Sequence, residues 1–412
     1  MSQTCIIIGG SHAAALLAPT IRQKGWEGRI LVISDEAYIP YHRPPLSKTF
    51  LAGEESIDDI YIRPASVYEK AAIELMLNTH VEAIEPDNKQ IKLDNGKTLG
   101  YDKLALTVGS RVRRVELPGV NLPGVYYLRE INDTEQIKTK IAAGSRAVIV
   151  GGGYIGLETA AVLNKLGMDV TVIEMMDRVL QRVTAPELSE FYTRIHNEEG
   201  VNILCGVGVE AFEGNGRVQR VICNDGSNHD ADLVIIGVGI VPNTELAHDA
   251  GLDTDNGIVV DEFARTSDAD IVAAGDCTYH YNTIYDRWLR LESVQNATDQ
   301  ARTAALTICG AEKAYTALPW FWSDQYDLKL QIAGLSQGYD EIITRGDRAN
   351  SRSFAAFYLK DGIIIAVDAV NKPAEFMMGK RLITEKVVVD KDRLADAAVP
   401  IKELFASQGS PV

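Results

Sequence analysis

The sequence predicts an α/β protein with two Rossmann-like dinucleotide-binding domains and a C-terminal α+β domain. Two segments, Thr4–Ala14 and Ala147–Glu158, each place an apolar run before a small-residue or Gly-rich turn and a helix, about 140 residues apart. Such runs are typical of buried parallel strands. From about Gln325 onward, strand-like runs at 353–359 and 362–370 precede a helical stretch near 376–384, which predicts the third domain.

The two turns predict what the protein binds. A strand–turn–helix unit leaves backbone N–H groups at a helix N-terminus, where they can hold a pyrophosphate. Two such units predict two dinucleotides, and a flavin paired with a nicotinamide is the simplest combination. Electron transfer between them is therefore the leading hypothesis.

Composition excludes several other classes of function. The chain has 412 residues, of which 46% are hydrophobic and 24% charged, enough for two or three domains. Its net charge of −16 argues against nucleic acid and requires an acidic partner to dock on a local basic patch. No apolar run approaches the roughly 20 residues of a membrane span, and no signal peptide precedes Thr4, so we expect a cytoplasmic enzyme.

The five cysteines are Cys5, Cys205, Cys223, Cys277 and Cys309. None forms a C-x-x-C pair, so neither a dithiol redox motif nor a metal site is predicted. Cys277, which follows Gly275-Asp276, is the one expected near a cofactor.

The second turn carries the stronger fingerprint. Gly151 permits the tight turn, Gly153 lets the backbone approach a pyrophosphate, and Gly156 allows close packing of helix and strand. Glu174 ends the next strand, 18 residues after Gly156, where a carboxylate can accept both ribose hydroxyls. The alternative is a Gly-rich βα turn without a ligand.

Glu174 also bears on which nicotinamide is used. A 2′-phosphate about 4 Å from it would raise the free energy by about 4 kcal/mol per charge pair at an effective dielectric near 20, which favours NADH. Arg178 lies close by in the sequence and could soften that penalty.

The first turn is degenerate. Gly9 is followed by Ser11 and Ala14, where glycines are usual, but both residues are small enough for a pyrophosphate to approach. His12 is either a ligand contact or a polar residue at the start of the helix.

Three further features could serve a flavin. Asp276 can accept a hydrogen bond from a polyol such as a ribityl chain, or cap a helix N-terminus. Lys48, beside Pro44-Pro45, could compensate a reduced flavin or be a solvated lysine. Trp320-Phe321-Trp322 could cover an isoalloxazine or seal a domain junction.

These residues together resemble the FAD-dependent, NADH-linked ferredoxin reductases of bacterial oxygenase systems, including the reductase components of Rieske aromatic-ring dioxygenases. The resemblance covers nearly the whole chain. It rests on an ordered set of motifs: Pro44–Lys48, Thr107–Gly109, Gly151–Glu158, Arg178–Pro186, Val241–Asn243, Ala274–Cys277 and Trp320–Gln325.

The resemblance implies a glutathione-reductase-like fold. It assigns 1–114 and 249–324 to a discontinuous FAD-binding domain, 115–248 to an NADH-binding domain and 325–412 to a C-terminal interface domain. The FAD contacts it implies, with those of the first turn, are Gly9, Ser11, Ala13, Ala14, Asp35, Arg43, Lys48, Val81, Arg129, Asp276, Val294 and Trp322. The implied NADH contacts are Gly151, Gly153, Tyr154, Ile155, Gly156, Glu174, Arg182 and Gly239. Glu158 and Lys48 are the expected catalytic residues.

The expected function is transfer of a hydride from NADH to FAD, followed by single electrons to an acidic [2Fe–2S] ferredoxin that feeds a terminal oxygenase, of Rieske or cytochrome P450 type. Disulfide reductases and NADH peroxidases of this fold carry reactive cysteines in the first domain, and Cys5 is not placed to serve. A rubredoxin reductase, an oxidase with another acceptor, and a regulatory NADH-sensing flavoprotein remain alternatives.

Overall fold

Two interleaved sets of chain segments fold as separate units in the computed structural model, which describes residues 3–404. The first unit comprises Met1–His42, Ser56–Arg111 and Ile240–Pro319. The second comprises Arg43–Glu55, Val112–Gly239 and Trp320–Val412, of which 405–412 lie outside the described residues. The short strands Ser110–Val112 and Ile240–Pro242 fall where the chain passes from one unit to the other.

The first unit is built on a five-stranded parallel sheet. Its strands, in spatial order, are Ile271–Ala273, Lys103–Leu106, Thr4–Ile8, Arg29–Ile33 and Ile73–Met76. Helices His12–Gln23 and Val294–Ile308 pack against one another. Because all neighbouring strands are parallel, their carboxyl ends lie at one edge, where ligands of such sheets bind.

The remaining elements of the first unit are short. Two three-stranded sheets contain Val81–Glu85, Gln90–Leu93 and Thr98–Gly100, and Ile258–Val260, Thr278–Asn282 and Arg287–Leu289. The short helices are Ile57–Ile60, Ala65–Lys70 and Glu245–Asp249, with a 3-10 turn at Pro86–Asn88. The core lies on both faces of the parallel sheet: Cys5 and Ile7 pack on the helical side, and Ile6 and Ile8 pack on the other.

The second unit repeats this plan. Its parallel sheet has the order Asn202–Cys205, Asp169–Glu174, Arg146–Val150, Leu233–Ile236 and Val125–Tyr127. Its helices are Ile131–Lys138, Tyr154–Lys165 and Pro186–Glu198, and a small antiparallel sheet contains Val209–Glu213, Arg220–Cys223 and Asn228–Asp230. The segment 43–55 folds with this unit, with the 3-10 turn Pro44–Ser47 in it and Leu51 in the core.

The same unit also contains a five-stranded antiparallel sheet. Its order is Trp320–Gln325, Leu328–Gly334, Ile363–Val370, Phe354–Lys360 and Glu341–Arg345. Helices Pro373–Thr384 and Lys391–Ala395 and the 3-10 turn Ile401–Leu404 complete it. One continuous core joins Leu330 and Phe354 of this sheet to Leu157 and Phe191 of the nucleotide-type fold.

Across residues 3–404, none of the helices combines the length and the apolar character that crossing a membrane requires.

Candidate functional site

The second glycine turn has the geometry that a dinucleotide needs. Gly151 has a φ of +112°, and a Cβ there would lie 2.4 Å from the carbonyl oxygen of Gly237. A Cβ on Gly156 would lie 2.1 Å from the carbonyl oxygen of Gly151, so helix and strand are in direct contact. A Cβ on Gly153, at the N-cap of helix Tyr154–Lys165, would meet nothing within 4 Å. The turn is therefore closed toward the protein and open at its outer side, as a pyrophosphate site requires.

Glu174 ends the neighbouring strand and lies against this turn. Its Oε2 accepts from the backbone N–H of Gly152 at 2.6 Å, and its Oε1 accepts from that of Met176 at 2.8 Å. These bonds fix the position of the carboxylate. Arg178, the residue that could have neutralised it, donates to the hydroxyl of Ser189 at 2.5 Å and to the carbonyl of Gln181 at 3.2 Å.

Arg182 and Gly239 lie together although 57 positions separate them in the sequence. Gly239 has a φ of +105°, and a Cβ there would lie 3.6 Å from Nη2 of Arg182. Ile155, in the first turn of the helix that follows Gly153, is 46% exposed, and Tyr154 packs its ring 4.9 Å from that of Phe321. The second unit thus carries all eight predicted NADH contacts, five of them in or at the glycine turn.

Glu158 lies one turn further along the helix and is 2% exposed. Its Oε2 accepts from Nζ of Lys48 at 2.6 Å and from the hydroxyl of Ser47 at 2.7 Å, and its Oε1 accepts from the hydroxyl of Ser323 at 2.7 Å. A buried carboxylate is tolerated when it is paired and hydrogen-bonded in this way. The two predicted catalytic residues form one ion pair.

The 3-10 turn that carries Lys48 is held by its sequence and its neighbours. Two prolines occupy the start of the turn, where a missing N–H is tolerated. Arg43, just before it, donates Nη1 to the carbonyl oxygen of Arg129 at 2.8 Å, which brings two predicted flavin contacts together. Trp322 is half-buried on the strand Trp320–Gln325, and its ring centroid lies 5.6 Å from that of Trp320.

The first turn tolerates its missing glycines. Gly9 has a φ of +106°, and a Cβ there would lie 2.2 Å from the carbonyl oxygen of Thr107. Ser11 is the N-cap residue of helix His12–Gln23, and Ala13 and Ala14 are buried in its first turn. The small side chain of Ala13 lies close to Gly275: a Cβ added to Gly275 would lie 3.6 Å from the Cβ of Ala13. His12 is buried, and its ring centroid lies 5.5 Å from that of His42.

The interpretation of Asp276 as a helix cap is wrong. The chain after it continues into the strand Thr278–Asn282, and its Oδ2 accepts from the hydroxyl of Ser110 at 3.0 Å. The helix that begins at Val294 is capped by Ser293, whose hydroxyl accepts from the N–H of Asn296 at 3.0 Å. Asp276 therefore remains a polar group at the carboxyl end of a parallel strand.

The three other predicted contacts of the first unit differ in burial. Val294 is half-buried at the start of the helix Val294–Ile308. Asp35, after the second strand of the sheet, is exposed and lies 3.5 Å from Nδ1 of His80. Val81 is buried at the start of the strand Val81–Glu85.

The cysteines are thiols rather than thiolates at neutral pH. Burial raises the pKa of both Cys5 and Cys277 to about 12, and burial also raises the pKa of Cys205, Cys223 and Cys309. A thiol with a raised pKa is a poor nucleophile. That no cysteine carries the chemistry stays a prediction, and these environments are the physical reason for it.

Sequence reasoning missed the hydroxyl donors of Glu158. Ser47 lies in the motif Pro44–Lys48 and Ser323 in the motif Trp320–Gln325, but the sequence assigns neither hydroxyl a role. Ser323 and Gln325 are two positions apart on the strand Trp320–Gln325, so their side chains share a face. Two polar residues at this spacing were the available signal.

Comparison with known proteins gives a consistent result over the whole chain. The family described as pyridine nucleotide-disulphide oxidoreductase matches residues 3–301, and the reductase C-terminal family matches residues 320–405. The chain is 44% identical over 408 residues to putidaredoxin reductase CamA of Pseudomonas putida, covering 98% of this chain and 96% of that protein. It is 45% identical over 408 residues to the 5,5′-dehydrodivanillate O-demethylase ferredoxin reductase subunit of Sphingobium sp. (strain NBRC 103272 / SYK-6), covering 98% and 99%.

A solved structure has the same fold. The crystal structure of the covalent putidaredoxin reductase–putidaredoxin complex superposes with a TM-score of 0.96 at 43% sequence identity, covering 99% of each chain.

Proposed function

The chain belongs to the pyridine nucleotide-disulphide oxidoreductase family, a flavin- and nicotinamide-dependent class, and on that premise we propose that it is an NADH-dependent ferredoxin reductase. In this proposal it takes a hydride from NADH onto FAD and passes single electrons to a [2Fe–2S] ferredoxin that supplies a terminal oxygenase. A flavin provides this chemistry because it accepts two electrons as a hydride and releases them singly. The proposal rests on the ion pair between the half-buried Lys48 and the buried Glu158, which lies one helical turn beyond a dinucleotide turn. Burial raises the pKa of all five cysteines, so none of them offers an alternative nucleophile.

The assignment of the two nucleotides follows the two turns. We assign FAD to residues 1–114 with 249–324, NADH to 115–248, and an interface role to 325–412. The open approach at Gly153 and the fixed carboxylate of Glu174 support NADH at the second turn. The tight Gly9 turn, with small residues at Ser11, Ala13 and Ala14, fits the pyrophosphate of FAD at the first.

Lys48 and Glu158 have complementary roles in this proposal. The Lys48 ammonium supplies positive charge that favours the reduced, anionic cofactor, and Glu158 holds that ammonium in place. Neither residue is required to transfer a proton for the hydride to move. The protein contributes orientation and charge compensation.

The electron acceptor is proposed on the basis of two relatives. One relative is named putidaredoxin reductase and another is named as the ferredoxin reductase subunit of an O-demethylase, each at 44–45% identity over 98% of this chain. We propose an acidic, transient ferredoxin partner, and a Rieske or cytochrome P450 oxygenase downstream of it. A cytoplasmic location belongs to the same proposal, because the NADH pool lies there.

The test has two parts. Flavin released from a denatured sample is identified by chromatography. Anaerobic, NADH-driven cytochrome c reduction by the intact protein is then measured with and without a [2Fe–2S] ferredoxin. We expect FAD, rapid bleaching by NADH and a large ferredoxin-dependent gain in rate. Fast bleaching with no gain from several ferredoxins, but a gain with rubredoxin or oxygen, would replace the acceptor. Slow bleaching with a long-lived charge-transfer band would favour a regulatory NADH sensor.

A further inference from the structure

A line of buried polar side chains leads away from Glu158 into the second unit. It runs through Ser323 and Gln325 on the strand Trp320–Gln325 and His196 on the helix Pro186–Glu198, which are 0%, 2% and 0% exposed. It ends at Tyr326, which is half-buried. None of these four side chains has a role in the function proposed above.

The contacts form a continuous hydrogen-bonded chain. The Ser323 hydroxyl donates to Oε1 of Glu158 at 2.7 Å, and Nε2 of Gln325 donates to the Ser323 hydroxyl at 3.2 Å. Nε2 of His196 lies 2.8 Å from Oε1 of Gln325. The Tyr326 hydroxyl lies 3.3 Å from Nδ1 of His196.

With the Gln325 amide oriented as it is in the structure, the direction of every bond in this chain is fixed. An amide oxygen cannot donate, so Nε2 of His196 must carry the hydrogen that Gln325 accepts. In the neutral imidazole Nδ1 is then an acceptor, which Tyr326 satisfies. The amide of Gln325 accepts at its oxygen and donates at its nitrogen, so the Ser323 oxygen is occupied as an acceptor and its hydrogen points to Glu158. All four donors therefore point toward the carboxylate, and such chains polarise each other.

We propose that His196 and Gln325 are positioning residues for the redox site: they fix Ser323 as a donor and so hold the Glu158 carboxylate in place opposite Lys48. This inference rests on the proposed function, because it assumes that the Lys48–Glu158 pair serves flavin reduction. It deepens that proposal by assigning a role to residues that lie two and three hydrogen bonds from the ion pair.

The opposite arrangement shows what the chain prevents. If His196 carried its hydrogen on Nδ1, Nε2 would accept, and the Gln325 amide would turn its oxygen toward Ser323. The Ser323 hydroxyl would then donate to Gln325 and present lone pairs to Oε1 of Glu158. A buried carboxylate that faces lone pairs loses a hydrogen bond and is repelled by them, so Glu158 would turn and hold the Lys48 ammonium less firmly.

The tautomer of His196 can be read without any turnover. We expect ¹⁵N spectra of the histidine-labelled holoprotein at pH 8 to show His196 as the neutral Nε2–H form, its signals identified by their loss in His196→Gln. The chain has seven histidines, so the comparison is tractable. An Nδ1–H form, or a ring exchanging rapidly between both tautomers, would overturn the proposal.

Function is tested with paired variants. Glutamine at position 196 can still donate an N–H to Gln325, whereas leucine cannot, so His196→Gln is the conservative partner of His196→Leu. Gln325→Glu keeps the shape but accepts from both neighbours, which turns the Ser323 hydroxyl away from Glu158. Because a hydrogen bond to a charged group is lost, we expect His196→Leu and Gln325→Glu to slow anaerobic flavin reduction at saturating NADH by about tenfold. His196→Gln should recover most of that rate, and the Kd for NADH should stay within about twofold, since none of these changes touches the nucleotide turn.

A reference variant separates the two proposals. If Glu158→Gln reduces its flavin at the wild-type rate, the role proposed for the ion pair is wrong. If Glu158→Gln is slow while His196→Leu and Gln325→Glu are as fast as wild type, the positioning proposal alone fails. Equal losses in His196→Leu and His196→Gln, with raised Kd values for NADH, would also overturn it, because they would indicate a general packing defect.

Discussion

Nζ of Lys48 lies 2.6 Å from Oε2 of Glu158, and the pair joins a proline-stiffened turn to the helix of the second nucleotide fold. The lysine side chain is 17% exposed and the glutamate side chain 2%. Two such groups are buried at a net cost unless each satisfies the other, so they should act as one unit in stability as well as in function.

Breaking this pair from either side should destabilise the protein more than removing both charges. Lys48→Met leaves a buried carboxylate, and Glu158→Gln leaves a largely buried ammonium, each raising the free energy of the folded state by about 3 kcal/mol. The double variant, with Lys48→Met and Glu158→Gln together, leaves no unpaired buried charge. Urea unfolding of the four proteins should give a coupling free energy above about 1 kcal/mol, whereas additive losses would mean that the two side chains are independent.

Glu174→Gln should relax the preference for NADH over NADPH. The amide keeps an oxygen that can accept from the N–H of Gly152 or Met176, but it removes the negative charge beside the expected 2′-position. At an effective dielectric near 20 the charge accounts for about 4 kcal/mol, so discrimination in kcat/KM should fall by about 100-fold or more.

Glu174→Ala is the informative companion variant. It removes the charge and both backbone contacts together, so it should weaken binding of either nucleotide as well as change the preference. A Glu174→Gln protein that discriminates as strongly as wild type would show that the carboxylate serves the turn and not the choice of nucleotide.

The predicted fold class is confirmed because its signals are local. Strands such as Thr4–Ile8 and Arg146–Val150 are continuous apolar runs that end at glycine turns, and such runs are visible without tertiary information. The same holds for Glu174, whose position at a strand end places it over the turn. Asp276 shows the limit of prediction from local sequence. A Gly-Asp pair after a strand is equally compatible with a helix cap and with a turn into another strand.

The surroundings of Glu158 were not predictable from spacing. Ser47 and Ser323 lie 111 and 165 positions away from it, and only the folded chain brings them together. The role of His196 could not be predicted for the same reason, because its partner Gln325 is 129 positions away. Motif residues and the chemistry of the glycine turns predict where nucleotides bind. The network around the ion pair depends instead on how the antiparallel sheet packs on the nucleotide fold.

Arg345 should be far more important for stability than a neighbouring surface arginine. It is 3% exposed and donates to Glu375 at 3.4 Å, to the carbonyl of Leu394 at 3.2 Å, and to the carbonyls of Asp396 and Val399. It thereby fastens residues 394–399 to the sheet. Arg345→Met should lower the free energy of unfolding by about 3 kcal/mol, because Glu375 and three carbonyls lose their donor.

Arg348→Met is the matched control. Arg348 pairs with the exposed Glu190 at 2.7 Å, and such surface pairs contribute less than about 1 kcal/mol. Limited proteolysis should cut Arg345→Met after residue 390 much faster than the wild type or the control. Equal protection in all three would contradict the fastening role.

Asp368 should make the protein less stable as the pH rises from about 4 to 7. Its side chain is 1% exposed, and burial raises the pKa to about 7 although the Tyr358 hydroxyl, which donates to it at 2.5 Å, partly lowers it. Between the pKa of an unfolded aspartate, about 3.9, and that value the folded state binds the extra proton, so the free energy of unfolding falls with rising pH. The free energy of unfolding falls by about 1.4 kcal/mol per pH unit in this range, and the total decrease is at most about 4 kcal/mol above pH 7.

Asp368→Asn removes this titration while keeping an oxygen that can accept from Tyr358. Other groups titrate in both proteins and cancel in the difference, so denaturant unfolding at pH 5 and pH 8 isolates the contribution of Asp368. From pH 5 to pH 8 we expect the free energy of unfolding of the variant, relative to that of the wild type, to rise by a few kcal/mol. The same substitution at the exposed Asp361, in the turn of the same hairpin, should leave the pH dependence unchanged. If Asp368→Asn tracks the wild type at both pH values, the folded state binds no extra proton in this range, so the carboxyl is ionised throughout and burial does not raise its pKa.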